Sequence, residues 1–266
     1  MKLNFILILS LSFCSASAAP QALAEIILKT IEYQDSSAAH SAPLEGVLAY
    51  DSKLKGKHPG ILVIHEWTGI DDYTRMRLKK LAELGYVAFA ADIYGKGVRP
   101  NNPKDAGATA GIYKKDRKLL RARAQLGLSE LKRQDLVDTK KVAVMGYCFG
   151  GTATLELARS GVDALGFLSF HGGLDTPNAM DAKNIKAPVE VFTGAADPSV
   201  PPAQIASFEK EMKDAGVKYQ ITSYPGAVHG FTNPAHGNDP KQGVAYNADA
   251  DAKSWESMKL FFKKIF

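Results

Sequence analysis

Three residues suited to nucleophilic acyl chemistry follow one another along the chain: Cys148, then Asp197, then His229. A thiol attacks only as thiolate, so it needs a base, and an imidazole base needs a carboxylate to hold its tautomer and orientation. Cys148 stands in Gly146-x-Cys148-x-Gly150, between an apolar run of strand length and a helical pattern. That arrangement suits a sharp turn that lifts the side chain above a sheet, because a side chain at either glycine would collide within the bend. The N-terminus of the helix behind it carries partial positive charge, which favours thiolate. Asp197 lies in Gly194-Ala195-Ala196-Asp197-Pro198 and His229 in Pro225-Gly226-Ala227-Val228-His229-Gly230-Phe231. Each of these segments follows a strand-like run. Singly, the three also fit a buried structural thiol, an Asp-Pro turn and a loop histidine. Their shared order and placement at strand ends point to nucleophile, orienting acid and base.

A fourth residue, Glu66, directly follows the run 60–65 and opens the loop Glu66-Trp67-Thr68-Gly69. A loop there can supply one oxyanion-hole amide while the residue after the nucleophile supplies the other. The backbone amides of Trp67 and Phe149 are the candidates. His65-Glu66 begins like a helical zinc motif, but position 69 is glycine and no second histidine follows at helical spacing. No metal and no cofactor are expected.

Apolar strand-length runs alternate with helical patterns from about residue 25 to the end, which predicts a mainly parallel sheet with helices on both faces, an α/β fold. Runs 26–33 and 46–50 lack a helix between them and read as an antiparallel edge pair. Run 60–65, nearly continuous in branched apolar residues, reads as a buried parallel strand. Further strands are expected at 86–93, 141–146, 164–170, 189–193 and 217–224. Helices are expected at 73–84, stopped by Gly85, at 152–160, and across 205–212 up to Gly216. A long polar helix is expected over 105–132, interrupted near Gly111. The Gly-, Pro- and Asn-rich loop 95–103 is a candidate pocket wall. Trp255, Met258, Phe262 and Ile265 recur at helical spacing and read as core.

The 266 residues carry 33 Lys and Arg against 28 Asp and Glu, a formal charge of +5. The basic residues are dispersed, which argues against nucleic acid as a partner. Their densest group, Lys114, Lys115, Arg117, Lys118, Arg121 and Arg123, reads as the solvated face of a helix. At the N-terminus, Lys2 precedes the apolar run 5–14, too short to span a bilayer, and then Ser15-Ala16-Ser17-Ala18-Ala19-Pro20. This reads as a signal peptide over residues 1–18, with Ala22-x-Ala24 as a later cleavage option. A single domain over 25–266 is then exported, periplasmic or secreted, with no membrane span left after signal removal. Cleavage would remove Cys14 and leave Cys148 as the lone thiol, so no intrachain disulfide is expected.

Taken together, these residues resemble the dienelactone hydrolase family of the α/β-hydrolase superfamily. The resemblance rests on His65-Glu66-x-x-Gly69, Ala91-Asp92-Ile93-Tyr94, Gly146-Tyr147-Cys148-Phe149-Gly150-Gly151, Gly194-x-x-Asp197-x-x-Val200-Pro201 and His229-Gly230-Phe231. It implies an α/β-hydrolase fold and hydrolysis of a lactone or activated ester, a small-molecule substrate, through an acyl-enzyme on Cys148. His229 would be the base, Asp197 its orienter, and Glu66 a switch acting near the cysteine. Tyr94, Lys96, Arg99 and Phe231 are expected to contact substrate, and a monomer is expected. Family members that cleave dienelactone grip its carboxylate with two arginines, one in the loop after Asp-x-Tyr and one shortly after the histidine. Here Lys96 and Arg99 occupy the first loop, and residues 230–234 contain no arginine, which speaks against dienelactone itself. The rivals are a carboxylesterase or thioesterase on the same triad, and a catalytically inactive binding module.

Overall fold

The computed structural model describes residues 25–34 and 43–266; the expected signal segment, 1–18 or as far as 24, lies outside the described residues. Eight strands form one sheet: β1 (Ile26–Gln34), β2 (Pro43–Asp51), β3 (His58–Ile64), β4 (Val87–Ala91), β5 (Val137–Tyr147), β6 (Phe167–Phe170), β7 (Val189–Gly194) and β8 (Tyr219–Tyr224). Their spatial order is β1-β2-β4-β3-β5-β6-β7-β8. β1 pairs antiparallel with β2, and β2 antiparallel with β4. From β4 to β8 every pairing is parallel. The expected edge pair and parallel core are both present.

Alternation along the central strands divides the core in two. Leu62 and Ile64 of β3 face one apolar cluster with Val144 of β5, together with residues of α2 (Pro103–Lys115), α3 (Arg117–Arg133), α4 (Phe149–Arg159) and α5 (Pro202–Asp214). Ile61 and Val63 face the other with Met145, under α1 (Asp72–Glu83) and α6 (Ala248–Ile265). Strands buried on both faces need apolar residues at successive positions, which is why β3 reads as a continuous branched run. In α6, Met258 and Phe262 are fully buried at helical spacing. Each such side chain contributes about 1.5–3 kcal/mol through burial. Among the described residues no helix is long and apolar enough to cross a membrane.

The helical region 103–133 departs from expectation. It is two helices, and the break falls at Asp116, not Gly111. Asp116 leaves helical geometry (φ −107°, ψ 84°), and its carboxylate accepts a hydrogen bond from the Leu119 amide, capping α3. An aspartate that caps a new helix stabilises the interruption, whereas a glycine within a helix only weakens it.

Parallel strands run from β3 through β8, so their carboxyl ends share one edge of the sheet. Glu66, Cys148, Asp197 and His229 all follow those ends, the usual place for a site in such a fold.

Candidate active site

The bend at Cys148 has φ 53° and ψ −116°, a conformation that side chains rarely adopt and that costs about 1–3 kcal/mol. Its glycines are sterically required. A Cβ on Gly146 would lie 2.1 Å from the Gly150 carbonyl oxygen, and one on Gly150 would lie 2.0 Å from that of Ile64. The thiol so held lies 3.0 Å from His229 Nε2, and His229 Nδ1 lies 2.9 Å from Asp197 Oδ2. The other Asp197 oxygen accepts from the Ser199 amide at 2.8 Å. The structure thus brings the three residues into one continuous relay.

Burial disfavours the charged imidazolium of His229, but Cys148 and the Asp197 carboxylate outweigh it and raise the pKa to about 10. Asp197 is itself buried, where a carboxylate without partners would be costly. The histidine backbone is also anchored: its amide donates to the Gly243 carbonyl, and its carbonyl accepts from the Ala245 amide.

Cys148 opens onto a cleft of about 1000 Å³. Trp67 and Phe149 line it, and neither backbone amide has a protein acceptor among the described residues. Both donors are therefore available to a ligand. Glu66 lines the same cleft but bonds Asn233, not the sulfur: Asn233 Nδ2 donates to Glu66 Oε2 at 2.7 Å, and Oε1 has no partner. Burial drives the Glu66 carboxyl up to about 7, against the lowering effect of the Asn233 bond. His236 Nε2 is 4.0 Å from the same carboxylate.

The four expected substrate contacts are elsewhere. Tyr94 is buried, and its hydroxyl donates to the Trp67 carbonyl at 3.0 Å, so it supports the wall from behind. Lys96 pairs with Glu32. Arg99 lies 3.5 Å from Asp92 and 3.8 Å from Glu45. Phe231 is fully buried behind the site, against His171 and Tyr224. The loop 95–103 contributes nothing to the cleft lining. It folds instead around the buried Asp92 carboxylate, which accepts from the amides of Tyr94, Gly95 and Glu45. A buried acid collects its donors, and here it draws the loop with it.

Cationic side chains reach the cleft from another direction. Lys114, Lys115 and Arg117, at the junction of α2 and α3, line it. The basic cluster is therefore not simply a solvated face. Arg117 pairs with Asp175 at 2.7 Å, Arg121 bridges Glu156 and Asp181, and Arg123 is buried. Among the described residues no group of three or more His, Cys, Asp or Glu side chains is arranged to hold a metal ion.

Sequence reasoning passed over His171, Asn233 and His236. His171 directly follows β6 in His171-Gly172-Gly173, the same strand-end position that singles out Cys148, and that signal could have found it. Asn233 and His236 lie in an irregular segment after β8, where no periodicity points to them.

The dienelactone hydrolase family model matches residues 44–266. An Aquifex aeolicus protein named "Putative carboxymethylenebutenolidase" is 30% identical, covering 82% of this chain and 93% of that one. The solved chain m3DLH superposes with a TM-score of 0.85 at 36% identity, covering 91% of this chain and 99% of its own. A dienelactone hydrolase-like promiscuous phosphotriesterase from metagenomic libraries gives 0.85 at 35% identity with the same coverage. With sequence model, relative and fold in agreement over nearly the whole described chain, the protein belongs to the dienelactone hydrolase family, hydrolases of lactones and esters.

Proposed function

We propose that this chain hydrolyses a lactone or activated carboxylic ester through a covalent thioester on Cys148. The observation that carries the reading is the relay from Cys148 Sγ through His229 to Asp197, with both links at hydrogen-bond distance. His229 Nε2, at hydrogen-bond distance from Sγ, takes the thiol proton, and the thiolate is the nucleophile. The sulfur attacks the acyl carbonyl, and the carbonyl oxygen takes the electron pair between the Trp67 and Phe149 amides, the oxyanion hole. Collapse expels the alkoxide or enolate, which receives the Nε2 proton of His229. Neutral His229 then takes a proton from water, hydroxide attacks the thioester, and Cys148 leaves as thiolate with the free acid. Asp197 holds the imidazole tautomer throughout.

A thiolate departs from the tetrahedral intermediate more readily than most alkoxides, so productive substrates carry stabilised leaving groups such as enols. The test compares enol lactone, aryl ester and acyl thioester with wild type and Cys148→Ala. The expected outcome is turnover of the first two, a loss of about a thousandfold or more in Cys148→Ala, and an acyl adduct on Cys148 by mass spectrometry. Wild-type turnover in Cys148→Ala would exclude the mechanism. Preference for the thioester would identify a thioesterase, and absence of turnover on every substrate in wild type would favour a binding module.

A further inference from the structure

Among the described residues only Cys148 and His171 combine a side chain with positive φ, at 53° and 41°. They are bonded to each other. The Cys148 amide is shared between the Phe170 carbonyl at 2.9 Å and His171 Nδ1 at 3.1 Å. Strain at two contacting positions is held only when the surroundings over-determine it, and such positions cluster at functional sites. The His171 ring is fully buried and stands edge-to-face against the His229 ring, with centroids 5.4 Å apart. It therefore touches the backbone of the nucleophile and the side chain of the base.

The far side of the ring is braced. His171 Nε2 lies 2.7 Å from Thr232 Oγ1, which is 2.5 Å from the Tyr73 hydroxyl. Arg77 Nε donates to that hydroxyl at 3.1 Å, and Arg77 Nη2 donates to the Thr232 carbonyl and to Asp251. A buried ion pair is thus linked through three side chains to the amide of the nucleophile.

We infer that His171 is a positioning residue, which locks the Cys148 backbone and the His229 ring into register through an acceptor at Nδ1 and a donor at Nε2. This rests on the mechanism proposed above. The tautomer follows from geometry: the Cys148 amide is a donor, so Nδ1 carries the lone pair and Nε2 the hydrogen. A proton on Nδ1 would set two N–H groups against each other. Burial first, and then His229, His236 and Arg77 nearby, hold the His171 pKa well below the usual histidine value. The Tyr147 ring also faces it.

The test uses His171→Gly, which tolerates the positive φ but offers no acceptor, beside His171→Asn, which tolerates it and returns an oxygen acceptor. The readouts are kcat and KM on an activated aryl ester and the pH dependence of Cys148 alkylation by iodoacetamide. His171→Gly should lower kcat about tenfold to a hundredfold with KM within about twofold, and move the alkylation profile to higher pH. His171→Asn should recover most of both. A purely structural residue would lower the melting temperature while leaving kcat per folded molecule and the alkylation profile unchanged, and that result overturns the inference, as does Asn performing no better than Gly. Should His171→Gly fail to fold, Thr232→Val removes only the outer brace and should shift both readouts in the same direction; no shift would overturn the inference equally. Loss of turnover in Cys148→Ala with wild-type behaviour in His171→Gly would discard this role and leave the proposed mechanism standing.

Discussion

The two walls of the cleft are built in opposite ways. On the wall proposed to be catalytic, the side chains follow strand ends and are fixed by buried partners: Cys148 by its glycine-framed bend, His229 by Asp197, and Glu66 by Asn233. On the second wall, Lys114 and Lys115 are exposed in the last turn of α2, with no ion-pair partner among the described residues. In the proposed mechanism the first wall is pre-organised for charge rearrangement, which is effective because nothing moves at the moment of reaction. The second places exposed positive charge beside the cleft, a field that attracts anionic ligands. On the proposed mechanism, chemistry and selectivity are then separable, and each should respond to substitutions that leave the other unchanged.

The largest effect is expected from Asp197→Asn, which keeps the shape of the relay but replaces the carboxylate acceptor of His229 Nδ1. We expect kcat to fall about a thousandfold or more, measured on an activated ester. A loss of less than about tenfold would show that the catalytic wall does not depend on a fixed tautomer. The second wall is tested by the pair Lys114→Glu and Lys115→Glu together. The ratio of kcat/KM for a carboxylate-bearing aryl ester to that for a neutral one should fall about tenfold at low ionic strength, and the difference from wild type should shrink in high salt. A ratio indifferent to both charge reversal and salt would remove these lysines from substrate selection.

The last prediction concerns stability rather than turnover. Glu66 keeps its proton in the folded protein up to about pH 7, whereas the ordinary glutamate value is 4.5. Between those values the native state holds a proton that the unfolded chain has released, so stability falls as pH rises. The fall is about 3 kcal/mol. Glu66→Gln should flatten the dependence of unfolding free energy between pH 5 and 8, and an unchanged slope would assign it to another group.

Much of the catalytic wall was legible in the amino-acid order. The Gly146-x-Cys148-x-Gly150 bend is a short-range steric requirement, and it leaves its mark within five residues. The parallel strands β3 and β5 likewise announce themselves, because burial on both faces demands successive apolar residues. The break in 103–133 did not, since Asp116 caps α3 through a local hydrogen bond that competes with the helical pattern around it. Nor did the displacement of Lys96 and Arg99, which follows from Glu32, Glu45 and Asp92 on separate strands or strand ends.

The amino-acid order alone was enough for the strand–turn–helix that lifts the Cys148 thiol, for the succession Cys148, Asp197, His229 after strand-like runs, and for the sheet whose carboxyl ends gather them, because each follows from backbone sterics or apolar periodicity within a short stretch. Packing alone set which cations face the cleft, that Asn233 holds Glu66, and that His171 contacts both the Cys148 amide and the His229 ring. Those contacts join residues tens of positions apart, and their geometry is set by how helices and loops pack over the finished sheet, which no local pattern encodes.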